Sequence, residues 1–362
     1  MKKIGREVLF LQTGENNPRN GEGAFVRRKD GSILFAYTAY NGDDWNDHCS
    51  ANISAYVSFD EGESWEGPTV LLEKDPEAEN LMSVSFLRMQ DGSIGMFYIR
   101  KVTVGELILD EIVLRRSYDE GVTWDAPQVC LPSDDYRVLN NDRLVRLRSG
   151  RILLPVAVHT PSMVDGVMQY QPGELQIYRS DDDGMSWTPS ARITTSYDND
   201  RDGLQEPGVF ELEDGTVWMF IRTAYGHQYE SFSKDGGETW SAIRPNFTFA
   251  SPLSPMQVKA VGEYTVAIFN PVPRAAWAIM AEKKDYWHVW GRTPFAVSVS
   301  DDTGKNFVRT YLLEDDISND YCYPAILEGD GYFLAAYYHS NGTDVALNSQ
   351  RIMKVSYDEI KD

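Results

Sequence analysis

Apolar and polar positions alternate along short stretches of the chain, and these stretches come in pairs. Each pair reads as strand, two-residue turn, strand, because an Asp-Gly or Ser-Gly step supplies the positive φ of a tight hairpin. Four copies are clear: AFVRRKDGSILFAYTAY, VSFLRMQDGSIGMFYIR, RLVRLRSGRILLPVAVH and GVFELEDGTVWMFIRTA. Weaker fifth and sixth copies are MQVKAVGEYTVAIFN and PAILEGDGYFLAAYY. The alternation therefore predicts an all-β protein built on six hairpins.

A second repeat lies between the hairpins. Its skeleton, Ser-x-Asp-x-Gly-x-x-Trp, occurs as SFDEGESW, SYDEGVTW, SDDDGMSW and SKDGGETW, and in altered form as SDDTGKNF. The five opening serines are Ser58, Ser117, Ser180, Ser233 and Ser300. Repeats at this spacing are typical of propellers. Because Asp and Ser side chains bond turn amides, we interpret these Asp-boxes as structural turns.

Six units of this kind predict a six-bladed β-propeller of four-stranded blades, formed as one domain by residues 1–362. The last unit ends with RIMKVSYDE and has no fourth strand of its own. The segment REVLFLQ near the start of the chain is predicted to supply it. Such pairing closes the ring and removes the exposed sheet edges.

Strand direction predicts which end of the propeller carries function. If each innermost strand starts at the top rim, both the hairpin turns and the Asp-boxes lie at the bottom. Counting nine residues back from each turn glycine gives the top-rim positions Glu22, Ser83, Asn141 and Glu206, with Cys322 or Tyr323 in the sixth unit. The second strands end at the top near Arg100, His159 and Arg222. Polar groups that converge on such a funnel are candidates for a binding site.

Simpler interpretations of these residues stay open at this point. Glu22 and Arg100 are equally consistent with a solvated pair on the rim. Histidines such as His159 more often orient neighbours than catalyse. Tyr323 lies among other tyrosines and is also consistent with core packing. Glu206 is harder to explain structurally, because an inward carboxylate must be paired.

Composition narrows the function class. The 362 residues are 42% hydrophobic and 12% aromatic, which is enough for a large core, and the formal charge is −21. That charge argues against nucleic acid or an anionic membrane as partner. Three scattered cysteines favour a reducing compartment over a disulfide framework. With no signal peptide recognised, we expect a cytoplasmic protein, and neither a metal ion nor another cofactor is predicted.

The Asp-boxes, the six hairpins and the segment LQEPGVFELEDGTVWMFIR together resemble the sialidase superfamily of Asp-box propellers. The resemblance implies an exo-acting glycoside hydrolase whose partner is a glycan or glycoside. It implies Tyr323 as nucleophile, Glu206 as its helper and Asp47 as acid/base, with Asp43 and Asp44 as competitors for the last role. This Tyr–Glu scheme is an exception to the usual glycosidase pair of carboxylates.

The same resemblance implies an arginine clamp for the carboxylate of an acidic sugar, since a guanidinium binds a carboxylate through two hydrogen bonds. Arg222 and Arg292 match two of its three arginines. The first is missing: Glu22 occupies its place, and Arg19 lies three residues earlier. Glu22 would repel a substrate carboxylate unless it is protonated or paired with Arg100 or Arg143. Further rim candidates for substrate binding are Asn141, Asp142, Arg143 and Gln228.

Three hypotheses follow. The first is sialidase-type hydrolysis by Tyr323, Glu206 and Asp47. The second is a propeller glycosidase for a different uronic or deoxy sugar, which uses Asp47 with Glu206 or Glu22. The third is a non-catalytic carbohydrate-binding propeller, and it expects Tyr323 to lie too far from Glu206 for a hydrogen bond. The exact sugar, the linkage and the oligomeric state stay open.

Overall fold

The computed structural model describes residues 1–195, 202–273, 275–276, 291–341 and 347–361. Its 27 strands in these ranges form six antiparallel sheets and one additional hairpin. The sheets follow one another in chain order, and the inner strands of successive sheets contact each other. The prediction of an all-β, six-bladed propeller is confirmed.

Blades 1 and 2 are complete four-stranded sheets whose strands pair in chain order. The N-terminal strand β1 (Arg6–Leu11) belongs to the last blade, described below. Blade 1 comprises β2 (Asn20–Arg27), β3 (Ile33–Tyr40), β4 (Ala51–Ser58) and β5 (Glu66–Leu72). Blade 2 comprises β6 (Ala78–Arg88), β7 (Ile94–Val104), β8 (Leu107–Ser117) and β9 (Gln128–Leu131). The β7–β8 hairpin is long and reaches the top rim, where it lines the cavity described below.

Blade 3 differs because its inner strand is split into two short pieces that both pair with the second strand. Its strands are β10 (Arg137–Val138), β11 (Val145–Arg146), β12 (Ile152–Val158), β15 (Glu174–Ser180) and β16 (Thr188–Pro189). The additional hairpin, β13 (Pro161–Val164) with β14 (Val167–Tyr170), rises from its rim. The split leaves residues 139–144 outside the sheet, near the propeller axis.

Blades 4 and 5 are again regular. Blade 4 comprises β17 (Gln205–Glu211), β18 (Val217–Arg222), β19 (His227–Ser233) and β20 (Arg244–Ala250). Blade 5 comprises β21 (Gln257–Val261), β22 (Tyr264–Phe269), β23 (Phe295–Ser300) and β24 (Arg309–Glu314).

Blade 6 closes the ring. It comprises β25 (Tyr321–Gly329), β26 (Tyr332–His339), β27 (Ser349–Ser356) and, as its outer strand, β1 (Arg6–Leu11). The pairing of β1 with β27 confirms the predicted closure by the N-terminal segment. A short helix, α1 (Tyr357–Ile360), follows β27.

The Asp-boxes are turns, as predicted. In each of the five, the serine hydroxyl accepts a hydrogen bond from the glycine amide four residues later, over 2.7–3.0 Å. The box aromatic residue then packs against a core cluster shared by two neighbouring blades; Trp124, for example, packs on residues of blades 1 and 2. Box carboxylates also accept amides of the inner hairpin turns, as Glu120 does from Lys29. The boxes therefore lie at the hairpin-turn end of the inner strands.

At the opposite end, four inner strands contain a β-bulge near their start, where the register slips. Within each bulge one residue other than glycine has a positive φ: Glu22 (56°), Ser83 (61°), Glu206 (43°) and Tyr323 (57°). A left-handed conformation costs such residues about 1–3 kcal/mol, and it recurs at functional sites. All four side chains line one cavity.

No helix within the described ranges is long and apolar enough to cross a bilayer.

Candidate active site

A cavity of about 350 Å³ opens at the top rim, where the inner strands converge. Blades 1, 2, 3, 4 and 6 contribute lining residues, and Arg292 before β23 represents blade 5. Of the side chains predicted for the site, seven line this cavity: Tyr323, Glu206, Asp47, Arg222, Arg292, Glu22 and His159. The cavity is of the right order to hold a single sugar ring and part of a second.

Tyr323, Glu206 and Arg222 form a hydrogen-bonded triad on one wall. The Tyr323 hydroxyl donates to Glu206 Oε1 over 2.8 Å. Arg222 Nη1 donates to Glu206 Oε2 over 2.5 Å and to the Tyr323 oxygen over 3.2 Å. All three side chains are buried. The bulges in β17 and β25 aim the first two toward each other from blades 4 and 6.

The electrostatics of the triad fix its protonation. Burial would raise the pKa of Glu206, but the adjacent Arg222 charge outweighs burial and holds that pKa below its usual value. Burial, followed by the negative charge of Glu206, raises the pKa of Tyr323 well above its usual value. At neutral pH the pair is thus a neutral phenol that donates to an ionised carboxylate. This is the arrangement in which a carboxylate can accept the phenol proton.

Arg292 lies beside the triad. Its guanidinium carbon is 5.6 Å from the centre of the Tyr323 ring, and its Nη1 lies 3.2 Å from Cys322 Sγ. The backbone amide of Arg292 donates to Asp320 Oδ1 over 2.6 Å, which anchors the segment. Two guanidinium groups therefore flank the reactive tyrosine, as expected of a site for an anionic ligand.

Arg19 lies three residues before the position of the missing clamp arginine, and its side chain is almost fully buried behind the cavity. Its Nη2 donates to Glu22 Oε1 over 2.8 Å, its Nη1 to Asp47 Oδ1 over 2.5 Å, and its Nε to the Tyr338 hydroxyl over 2.8 Å. Glu22 also accepts a hydrogen bond from Ser83. Glu22 is therefore paired with Arg19, and neither Arg100 nor Arg143 contacts it.

The two carboxylates held by Arg19 differ in their environment. Glu22 is 4% exposed, and burial raises its pKa although Arg19 counteracts this. Asp47 lies at the cavity mouth with a side chain that is 54% exposed. Partial burial works to raise the pKa of Asp47, but Arg19 and Lys101 outweigh it and hold the pKa below its usual range. Its sequence neighbours Asp43 and Asp44 are exposed and do not line the cavity.

Three further predicted residues lie along the propeller axis, outside the cavity lining. Asn141 Nδ2 donates to the backbone carbonyls of Gly23, over 2.8 Å, and Tyr323. Asp142 accepts from Lys259 Nζ over 2.5 Å, and Arg143 Nη1 donates to the carbonyl of Met256 over 2.7 Å. These bonds tie blade 3 to blades across the axis. Their side chains support the walls of the site rather than line it.

Counting nine residues back from the turn glycine predicts Asn141 as the rim position of blade 3. In the structure, the residue with a positive φ between β10 and β11 is Asp142, at 57°. Asp142 lies eight residues before its turn glycine, and so does Tyr323 in blade 6. The count of nine is therefore off by one position in both blades.

Arg100 and Gln228 are placed away from the cavity. Arg100 pairs with Asp75, with an Nη2–Oδ1 distance of 2.6 Å, and with Glu111, with an Nη1–Oε2 distance of 2.8 Å. Gln228 is buried and donates to Ser251 Oγ and to the Ser254 carbonyl, both over 2.9 Å. Both side chains have structural partners, and neither faces the ligand space. His159, by contrast, lines the cavity and its Nδ1 lies 3.1 Å from the Gln171 carbonyl oxygen.

Sequence reasoning missed six polar or aromatic residues that blades 1, 2 and 3 contribute to the cavity. The missed residues are His48, Lys101, Asp110, Tyr136, Asn140 and Tyr170. A usable signal was present in β8, where the charged pair Asp110 and Glu111 interrupts a run of apolar residues, so that one of the two must take the inner face of the strand. Such a residue must find a partner or face a ligand.

Comparison with known proteins gives a consistent result. The family model described as BNR repeat-like domain matches residues 36–335. A protein of unknown function from Dyadobacter fermentans is 17% identical, with a TM-score of 0.72, and 97% of this chain and 99% of that chain are covered.

Two structures of named enzymes are similar to the same extent. The intramolecular trans-sialidase from Ruminococcus gnavus, in complex with oseltamivir carboxylate, is 13% identical with a TM-score of 0.73 and coverage of 99% and 98%. The NanB sialidase from Streptococcus pneumoniae is 13% identical with a TM-score of 0.72, and 99% of this chain covers 71% of that chain. At these identities the likeness establishes the fold, and the chemistry has to be argued from the side chains.

Proposed function

Because the chain belongs to the BNR repeat-like domain family, we propose that it is a glycoside hydrolase that removes a terminal acidic sugar from a glycan. Tyr323 is the nucleophile and Glu206 is the base that activates it. The observation that carries the proposal is the 2.8 Å hydrogen bond from the Tyr323 hydroxyl to Glu206 Oε1 inside the rim cavity. A purely carbohydrate-binding propeller does not require this pair to line the ligand cavity.

In the first step the Tyr323 oxygen attacks the anomeric carbon while its proton passes to Glu206 Oε1. The glycosidic C–O bond breaks, and Asp47 gives a proton to the leaving oxygen. Arg222 supports the attack because it donates to both partners and stabilises the negative charge that develops on the phenol oxygen. In the second step water replaces the tyrosine oxygen at the sugar, Asp47 takes a proton from that water, and Glu206 returns its proton to Tyr323.

The charge arrangement favours an acidic sugar. Arg222 and Arg292 flank Tyr323, and Arg19 holds Asp47 in its ionised form. As an acid, Asp47 needs a proton, so its pair with Arg19 must be broken. A substrate carboxylate bound in the cavity near Asp47 would repel its negative charge, weaken the pair and allow the pKa of Asp47 to rise. Substrate binding and readiness of the acid are then coupled.

The proposal is tested with 4-methylumbelliferyl glycosides of N-acetylneuraminic acid and glucuronic acid, with the galactoside as a neutral control. We expect turnover of an acidic glycoside, and a loss of about 10²–10⁴-fold in kcat for Tyr323→Phe and for Glu206→Gln. Wild-type turnover by Tyr323→Phe, or no turnover of either acidic glycoside, would refute the proposal.

The chain offers a matched control. Tyr337 donates to Glu314 Oε1 over 2.7 Å, and Arg351 Nη1 donates to the same carboxylate over 2.5 Å. This second Tyr–Glu–Arg group joins blades 5 and 6, and its side chains are outside the cavity lining. Tyr337→Phe removes the same kind of buried hydroxyl and should leave kcat unchanged within about threefold.

A second candidate is two-carboxylate chemistry on another sugar, and it is favoured by Glu22, a buried carboxyl in the cavity lining whose pKa is raised by burial. A carboxyl whose pKa is raised by burial is suited to act as an acid, as in other glycosidases. In that case Glu22→Gln abolishes turnover, whereas Tyr323→Phe retains it. The two variants therefore separate the candidates in one assay.

A further inference from the structure

Unpaired polar atoms gather at the blade 2 end of the cavity. Both carboxylate oxygens of Asp110, Nδ1 of His48 and Nδ2 of Asn140 are buried, and none has a hydrogen-bond partner among the described residues. All three residues line the cavity. Buried polar atoms are almost always satisfied in folded proteins, so this end is built to receive polar groups from outside the chain.

Lys101 and Asp110 form the centre of this end. They are cross-strand partners in the β7–β8 hairpin, so their side chains leave the same face of the sheet. Both are buried, at 2% and 0% exposure. Lys101 Nζ donates to the Tyr136 hydroxyl over 2.8 Å, which fixes the ammonium at the cavity wall. An ammonium has three donors and an ionised carboxylate has only acceptors.

Aromatic rings complete the wall. The Tyr136 and Tyr170 ring centres are 4.5 Å apart at an angle of 45°, and both rings line the cavity beside Ile99. Such a surface suits the C–H face of a sugar, whereas the adjacent Lys101 and Asp110 suit its hydroxyl groups. A hydroxyl can donate to the carboxylate and accept from the ammonium at the same time.

We propose that Asp110, Lys101 and Tyr136 form a hydroxyl-binding subsite that recognises a polar ring substituent remote from the anomeric carbon. The proposal rests on the proposed function and specifies its substrate: the acidic sugar carries a free hydroxyl or amino group at that substituent. An apolar substituent there would leave the Asp110 carboxylate buried without a partner, which lowers affinity.

The distribution of charges supports the remote position. Asp110 interacts electrostatically with Lys101, Asp47 and Arg137. The groups that act on Tyr323 are a different set: Glu206, Arg222, Arg292 and Glu22. Tyr323 belongs to blade 6 and Glu206 to blade 4, whereas Lys101 and Asp110 both belong to blade 2. The nucleophile and the subsite therefore lie on different sides of the cavity.

Isothermal titration calorimetry tests the subsite by measuring the affinity of free sugar acids for the Tyr323→Phe variant, whose catalytic step is blocked. The panel is N-acetylneuraminic acid, its deaminated counterpart with a hydroxyl in place of the acetamido group, glucuronic acid and galacturonic acid. The second substitution is Asp110→Leu or Lys101→Met. We expect each to weaken the tightest ligand at least tenfold and to change the ranking of the four sugars, which a merely structural role would not do.

Glu111→Leu is the matched control, because Glu111 follows Asp110 in β8 and its side chain leaves the opposite face of the sheet. Its carboxylate pairs with Arg100 outside the cavity. If Asp110→Leu leaves the binding of the sugars unchanged, the proposed subsite is refuted and the proposed function is not. Binding by none of the four sugars overturns the proposed function together with the subsite.

Discussion

Substituting Asp110 by asparagine should stabilise the protein, and the gain should depend on pH. Burial raises the pKa of Asp110 from 3.8 to about 7, and Lys101 offsets only part of that rise. Because the folded-state pKa lies above the unfolded-state value, the folded state holds its proton more tightly. The contribution of Asp110 to stability is therefore fully present below pH 4 and is lost as the pH rises through 7.

The magnitude follows from the shift. About three pKa units correspond to roughly 4 kcal/mol at pH 8, where folded Asp110 is mostly ionised. At pH 5 the same linkage gives roughly 1.5 kcal/mol, because the unfolded carboxyl is ionised and the folded one is not. Asparagine has almost the same shape and no proton to lose. We therefore expect Asp110→Asn to gain more stability over the wild type at pH 8 than at pH 5.

Urea unfolding at the two pH values measures the difference. Every other titrating group is shared by the wild type and the variant, so its contribution cancels in the comparison. Glu111→Gln should show no such pH-dependent gain. A gain for Asp110→Asn that is the same at pH 5 and pH 8, within about 0.5 kcal/mol, would refute the reasoning, since a buried ionising carboxylate cannot produce it.

Two further predictions concern packing and turns. Gly21→Ala should lower the free energy of unfolding in urea by about 3 kcal/mol or more, because its Cβ would lie 1.7 Å from Tyr338 Cζ. Gly14→Ala is the control: its Cβ would lie in open space, so the free energy of unfolding should change by less than about 0.5 kcal/mol. Ser117→Ala should cost about 1–3 kcal/mol, because the buried Gly121 amide loses its acceptor at 2.7 Å, and an unchanged unfolding midpoint would contradict the structural role of the boxes.

The fold could be predicted because its signals are local and repeated. The Asp-Gly hairpins and the boxes each determine a turn within a few residues, and strand direction then follows from their order. The N-terminal strand was also predictable, because one blade lacked a fourth strand and one apolar segment was left over. The structure pairs that segment, β1, with β27 as the outer strand of blade 6.

The site was predictable only in part, for a physical reason. Counting nine residues back from the turns located Glu22 and Glu206, because their bulges lie at the same distance from the turn. Tyr323 and Asp142 lie eight residues before their turn glycines, so the count alone gives Cys322 and Asn141 in their place. The count also carries no information on where a side chain points.

Arg100 illustrates that limit. It was predicted at the end of a second strand, but β7 continues to Val104, and the Arg100 guanidinium pairs with Asp75 and Glu111 outside the cavity. The subsite around Asp110 depends on the length of the β7–β8 hairpin and on which face Asp110 takes. The hairpin length and the face taken by Asp110 both follow from three-dimensional packing between blades, and no sequence motif indicates either of them.

The closure of blade 6 by β1 has a consequence for synthesis in the cell. β1 precedes the other described strands in the chain, so the ribosome releases it long before its pairing partner β27. During translation β1 has no edge to join, and blades 1 to 5 can form before it finds its place. Tyr323 belongs to the same late blade, so its hydroxyl meets Glu206 only after blade 6 has been synthesised. A nascent chain stalled before blade 6 is therefore expected to contain five of the six blades but not the hydrogen bond from Tyr323 to Glu206.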